Sequence, residues 1–392
     1  MKLRLASLFV LMAFVLGIGA PAGAQPAPLE IDVMLSLSGP VSFLGKAEQA
    51  AFDTLETVIN KKGGISGRPI KIVVADDTSN PQVALQLANG FMSKNVPVFL
   101  GSPLASGCFA FMAIVAKAGP VNYCLSPPVS PPSGGFVFTA GASAVDQSTA
   151  LMHYLKDRGF TRIALLETTD ATGHDFENSY LTVLGRPEYK SSTIVANEHF
   201  APTDISVTAQ LARIKAANPQ VLVMGTIGLA SGTIFRGAQD IGLDLPVAAP
   251  NGNMLYQQMA NFAATLPKEL VFPAYRAMTE GDVRPGPIKD AQTVFFQALK
   301  SKGLKPDAAS VTCWDPMMIV LSAYQKFGSS MTAQQLHGYI ETLHGFAGVN
   351  GIYDFRDGGQ RGIDAHAIVI DRWDAAKTGF TVVSRPGGAM IR

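Results

Sequence analysis

Pro69-Ile70-Lys71-Ile72-Val73-Val74-Ala75-Asp76-Asp77-Thr78-Ser79-Asn80-Pro81-Gln82-Val83-Ala84-Leu85-Gln86-Leu87-Ala88 is the stretch that decides the fold class. Residues 69–75 form a short apolar run rich in Ile and Val, the pattern of a strand covered on both faces. Asp76-Asp77 ends it. Asn80-Pro81 then opens a helix: Asn suits the cap, Pro suits the first turn, and Ala84, Leu87, Ala88 and Phe91 recur on one face. A buried strand followed at once by an amphipathic helix is the repeating unit of a parallel α/β sheet.

The same unit recurs on both sides. Upstream, residues 30–37 read as a strand. A helix follows from about Gly45, with Ala51, Leu55, Val58 and Ile59 at helical spacing, and Gly63-Gly64 stops it. Downstream, a strand at 96–100 is closed by Gly101-Ser102-Pro103, a helix runs over 107–117, and 121–125 is a fourth strand. The pattern then begins again. Helix 149–157 precedes strand 162–167; Val207, Leu211 and Ile214 mark a helix ending at Asn218-Pro219. Strand 221–224 is closed by Gly225-Thr226, helix 231–241 follows, and 245–249 and 269–272 are further strands. Helices at 291–299, 314–327 and 332–343 and a late strand at 365–373 complete the chain. The spacing predicts two doubly wound parallel-sheet α/β lobes, with residues 136–146 crossing between them. In open α/β sheets ligands bind beyond the carboxyl ends of the strands, so the loops after the strands carry the function.

At 392 residues the chain has room for two or three compact units. Hydrophobic residues make up 47% and charged residues 16%, which excludes a disordered or fibrous chain. The first 24 residues have the form of a secretory signal peptide. Lys2 and Arg4 open it, an apolar stretch from Leu5 to Gly19 follows, and Ala22-Gly23-Ala24 supplies a cleavage site near Ala24. The apolar stretch falls short of the roughly 20 residues that span a bilayer, and no cysteine precedes Cys108 to carry a lipid. Removal of Lys2 and Arg4 leaves 29 basic residues against 30 acidic ones. A near-neutral surface without a basic run excludes nucleic acid as a partner. An exported chain permits disulfides. Cys108 with Cys124 is the favoured pair, leaving Cys313 free, and three buried thiols are the alternative reading.

The strand-end loops are poor in catalytic chemistry. Gly39 and Gly45-Lys46 fail the phosphate-loop spacing, and Ala47 stands where Ser or Thr would hold magnesium. Gly228-Leu229-Ala230-Ser231-Gly232 misses the nucleophile-elbow spacing by one place. The histidines at 153, 174, 199, 337, 344 and 366 are scattered and form no HExxH, so no metal site and no cofactor is indicated. What the loops offer is hydroxyls and backbone amides. Ala105-Ser106-Gly107 opens a helix whose amides favour an anion, and Ser126-Pro127-Pro128-Val129-Ser130 presents two hydroxyls on a stiff backbone.

Taken in order, the segments resemble the Leu/Ile/Val-binding protein family of periplasmic solute-binding proteins that serve ABC importers. The resemblance rests on Ser38-Gly39-Pro40 with Gly45, the run from Ile59 through Gly63-Gly64 to Ile70, Asp76-Asp77-Thr78-Ser79-Asn80-Pro81, and Ala118-Gly119-Pro120. Ser126-Pro127, Leu211 to Pro219, Arg236 to Leu243, and Phe346-Ala347-Gly348-Val349-Asn350-Gly351 with Tyr353-Asp354-Phe355 extend it over essentially the whole mature chain.

The resemblance implies a type I periplasmic binding fold, two lobes joined by three crossing strands near Ala140, Tyr275 and Gly351. Lobe one would hold residues 29–145 and 275–350, and lobe two residues 146–274 and 351–384. It implies a monomeric periplasmic protein that captures a small molecule by hinge closure and delivers it to a membrane permease, without enzymatic chemistry. A ligand-sensing module for a membrane receptor and a secreted hydrolase are the alternative classes. Carried over by position, Ala105, Ser106, Gly107, Val129 and Ser130 would hold the ligand carboxylate. The places that hold the ligand ammonium in amino-acid-binding members carry Thr226 and Asn251, and Thr172 stands where an aromatic is common. Burying an ammonium without a countercharge costs several kcal/mol. The expected ligand is therefore an aromatic or branched organic acid lacking an ammonium, walled by Phe43, Leu44, Leu104, Val129, Tyr275 and Trp314. A branched-chain amino acid or amide is the alternative.

Overall fold

The computed structural model describes residues 27–279 and 283–391, so the signal peptide expected at 1–24 lies outside the described residues. The first lobe is built on β1 (Leu29–Leu35), β2 (Ile70–Asp76), β3 (Val98–Leu100), β4 (Val121–Cys124) and β5 (Val137–Thr139), connected by α1 (Ser42–Lys61), α2 (Pro81–Ser93) and α3 (Ala105–Val115). The strands lie in the order β2-β1-β3-β4-β5 with every pair parallel. Asn80 caps α2 by accepting from the Gln82 amide, with Pro81 in the first turn, as the opening stretch predicts.

The second lobe begins with α4 (Ala144–Asp157), which starts inside the segment expected to be crossing chain. A capping box between Ser143 and Asp146 nucleates it there. Next come β6 (Arg162–Thr168), α5 (Ala171–Leu184), β7 (Thr193–Phe200), α6 (Thr208–Ala216), β8 (Val221–Gly225), α7 (Leu229–Asp240), β9 (Val247–Ala248), α8 (Tyr256–Asn261) and β10 (Leu270–Tyr275). Helices α9 (Pro287–Ser301), α10 (Ala308–Phe327) and α11 (Ala333–Thr342) return to the first lobe, where α9 and α10 pack on α1 and α11 on β4. A hairpin of β11 (His344–Ala347) and β12 (Ile352–Asp354) leads to β13 (Ile368–Asp374) and β14 (Gly379–Val382).

The second sheet has the order β14-β13-β10-β9-β8-β6-β7. It is parallel from β10 to β7, whereas β13 and β14 add antiparallel strands at one edge.

The chain therefore passes between the sheets three times: after Thr139, after Tyr275, and through residues 355–367. The passages are tied together. The Tyr275 hydroxyl accepts from the Ala142 amide at 2.8 Å. Arg361 donates to the Val129 carbonyl, to Ser130 Oγ and to the Gly141 carbonyl.

Each lobe uses a glycine to seat the helix that follows its first strand. A Cβ on Gly45 would lie 2.1 Å from the Ser36 carbonyl oxygen, and one on Gly173 would lie 1.9 Å from that of Thr168. Cys108 of α3 and Cys124 of β4 form a disulfide, which decides between the two cysteine readings, and Cys313 is a buried free thiol. No helix among the described residues is long and apolar enough to cross a membrane.

Candidate functional site

A cavity of about 30 Å³ lies between the lobes at the carboxyl ends of both sheets. Its lining follows from the topology. Leu44 and Glu48 come from α1, Pro103 follows β3, and Leu125, Ser126, Pro127 and Pro128 follow β4. Across the cleft, Thr172 and Phe176 come from α5 after β6, Ile227 follows β8, and Pro250, Asn251 and Gly252 follow β9; Ala308 and Thr312 of α10 close one end. The lobes touch around it. The Leu229 amide donates to the Pro40 carbonyl at 3.4 Å, the Ala308 amide to that of Met254 at 3.1 Å, and Phe43 meets Phe262 edge-on with centroids 6.4 Å apart. The remaining space suits a water molecule. As it stands, it is too small for a solute of amino-acid size.

The walls are apolar: Leu44, Leu125, Phe176, Ile227 and the prolines. The polar groups are Ser126, Thr172, Thr312, Asn251 and Glu48, and no lysine or arginine is among the lining residues. Asn251 is buried, and its side-chain Nδ2 has no partner among the described residues. The cap position of α3 is Leu104, which has no side-chain hydrogen bond to give, so its first-turn amides keep their donor capacity for an anion. By contrast, Asp170 caps α5 by accepting from Gly173.

Glu48 was not among the residues singled out from the sequence. It is fully buried, lines the cavity, and neither carboxyl oxygen has a hydrogen-bond partner among the described residues. Burial, helped by the charges of Asp77 and Asp307, holds its carboxyl well above the usual carboxylate range. Asp307, which caps α10, is itself pushed up to about 6 by burial. Along the chain Glu48 follows Lys46 and Ala47 in an ordinary amphipathic helix. Only the packing of α10 and the second lobe over α1 removes it from water.

Of the residues expected from the sequence, Leu44, Thr172 and Asn251 come together in the cavity. Others sit elsewhere, for identifiable reasons. Phe43 faces a groove of about 680 Å³ on the flank of the cleft, with Lys46 and Tyr256. Ala105 and Val129 are core residues beneath the loops, and Leu104 is buried at the helix cap. Gly107 lets α3 approach Ser102, since a Cβ there would lie 2.6 Å from Ser102 Oγ. Ser106 is half-buried in the first turn of α3. Ser130 is exposed on the hinge side, accepting from Arg361. Thr226 is buried, and its carbonyl accepts from Asn253; its neighbour Ile227 reaches the cavity instead. Tyr275 is a fully buried hinge strut, and Trp314 packs edge-on against Phe295 in the first lobe.

The periplasmic binding protein family model matches residues 28–377. The chain is 23% identical to a Leu/Ile/Val-binding protein homologue of Brucella melitensis, over 81% of this chain and 84% of the relative. It is also 23% identical to the leucine-specific-binding protein of Salmonella typhimurium, over 85% and 86%. Among solved structures, a leucine-binding protein from Thermotoga maritima superposes with a TM-score of 0.75 at 17% identity, covering 90% of this chain and 97% of the other. An ABC-transporter solute-binding protein from Rhodopseudomonas palustris in complex with benzoate superposes with a TM-score of 0.76 at 15% identity, covering 93% and 98%.

Proposed function

The chain belongs to the periplasmic binding protein family, and from that premise we propose that it captures a small organic acid between its lobes, closes on it, and hands it to the membrane permease of an ABC importer. The solute is a carboxylate with an aromatic or branched body and no ammonium. The observation that carries this reading is the lining of the cleft: apolar walls, hydroxyls of Ser126, Thr172 and Thr312, the Asn251 amide, and a single carboxyl, Glu48, whose pKa burial raises well above the usual carboxylate range. A ligand carboxylate needs donors rather than a full cation, and uncapped helix amides together with a neutral Glu48 supply them.

Glu48 also favours a second reading. Ionised, it is the countercharge that an α-amino acid would need, contributed by the first lobe, whereas the second-lobe positions carry Thr226 and Asn251. Net charge does not separate the two, because a neutral Glu48 with an acid and an ionised Glu48 with a zwitterion both leave one negative charge in the cleft. Proton linkage does separate them. An amino acid would displace the Glu48 proton on binding, whereas an acid would leave it in place.

Calorimetry with benzoate, phenylacetate, leucine and isoleucine in buffers of different ionisation enthalpy tests the reading. The expected result is saturable binding of an aryl acid without proton release, surviving in Glu48→Gln. Tight leucine binding that releases a proton and falls at least a hundredfold in Glu48→Gln would replace the acid by the amino acid.

A further inference from the structure

We propose that the second lobe carries a divalent-cation site of the Zn²⁺ class, built by Glu167, His174, Glu177 and His199. The register of the sheet creates it. Glu167 of β6 pairs directly with His199 of β7, and directly paired residues on neighbouring strands project to the same face. Helix α5 covers that face and brings down Glu177. The donor atoms of Glu167, Glu177 and His199 all lie within 4.8 Å of one another. His174, one turn earlier on α5, places Nδ1 4.0 Å from Glu177 Oε2.

Glu167 is the observation that points to a ligand. It is fully buried, aimed into this cluster, and both of its oxygens lack a partner among the described residues. Room is made for it. Gly225 of β8 lies opposite, and a Cβ there would fall 2.4 Å from Glu167 Cγ. Burial and the neighbouring Glu177 carboxylate push Glu167 up to about 9. Glu177 is already oriented, accepting from Asn197 Nδ2 at 2.6 Å and lying 2.9 Å from His199 Nε2. Glu198 and Arg213 pair with each other; Glu198 is the strand neighbour of His199 and projects from the opposite face. Asp170, which caps α5, is taken up by Thr168 and Gly173.

Two imidazoles with two carboxylates suit a borderline ion, whereas calcium or magnesium would take an all-oxygen set. Bond lengths of about 2.0–2.2 Å put neighbouring donors roughly 3.3 Å apart in a tetrahedral site. The exposed His174 and the half-buried His199 side chains can close that distance and leave a path from solvent. Bound there, the ion would clamp α5 to the sheet, and α5 supplies Thr172 and Phe176 to the ligand cleft. The site stands independently of which solute that cleft takes.

The test is a Zn²⁺ titration of the purified, chelator-treated protein by calorimetry, with Co²⁺ absorption as a spectroscopic check. The expected result is one saturable equivalent and a cobalt band of tetrahedral intensity. Affinity should fall at least tenfold in both Glu167→Gln and His199→Asn, with unchanged circular dichroism. Glu167→Gln keeps the shape of the protonated acid, so it reads ligation rather than folding. Absence of saturable uptake, or uptake undiminished in both variants, would overturn the proposal.

Discussion

Gly141 and Tyr275 hold two of the passages between the lobes against each other. Gly141 has φ of +77°, and a Cβ on it would lie 2.0 Å from Tyr275 Oη. The hydroxyl accepts from the Ala142 amide deep in the hinge, where burial raises its pKa. Tyr275→Phe leaves that amide unpartnered and is expected to cost about 1–3 kcal/mol in urea unfolding. Gly141→Ala should cost more, because it adds left-handed strain to a steric overlap. The sequence marks Gly141 as a crossing residue by its neighbours, and the family resemblance puts a second crossing near Tyr275, which was also expected as an apolar wall of the site. Its role depends on a contact 133 positions back along the chain. Glu48 has the same history: helix periodicity places it on α1, and burial alone makes it chemically unusual.

Among the elements, those with strong periodicity were legible and those with mixed faces were not. Strand β2 and helix α2 follow directly from the opening stretch, since an apolar run and a Pro-led helix admit few other structures. Helix α5 was missed although Phe176, Tyr180 and Val183 form its buried face, because Thr172, His174, Asp175, Glu177 and Asn178 make its first half polar. Strand β7 was missed because it is an edge strand, half-exposed along most of its length. These two elements hold three of the four groups of the proposed cation site, so the scattered histidines offered no hint of it.

The disulfide belongs to this scale too, tying α3 to β4 across a separation of 16 residues. Replacing both cysteines by serine is expected to lower stability by about 3 kcal/mol, the chain-entropy value for a loop of that length, measured by denaturant unfolding without reductant. Gly45→Ala should unseat α1 from the end of β1 and cost about 1–3 kcal/mol as an overpacked contact.

For the whole molecule, buried acids set the response to pH. Glu48, Glu167 and Asp371 are all buried, and both oxygens of each lack a partner among the described residues. Glu167 is pushed up to about 9 and Asp371 to about 7 by burial. A raised carboxyl pKa means that the folded protein holds a proton that the unfolded chain has already released. The stability these groups permit is therefore fully present below their ordinary values, near 4 to 4.5, and declines as pH rises through the folded values. For each proton the slope approaches 1.4 kcal/mol per pH unit, as an order of magnitude. The melting temperature is expected to fall from pH 5 to pH 9, and Glu167→Gln should flatten that fall. A melting temperature that rises over this range would contradict it.

The residues by themselves determined the alternation of buried strands and amphipathic helices and the two-lobed α/β class. Those properties are written in local periodicity and in cap and turn chemistry, which act within a few residues. Only the tertiary structure decided which loop residues face the cleft, that Glu48 and not a second-lobe acid is the carboxyl there, and that Glu167 and His199 share a sheet face. Register and burial arise from contacts between segments distant in the chain, and a carboxyl's protonation follows from how completely those contacts exclude water.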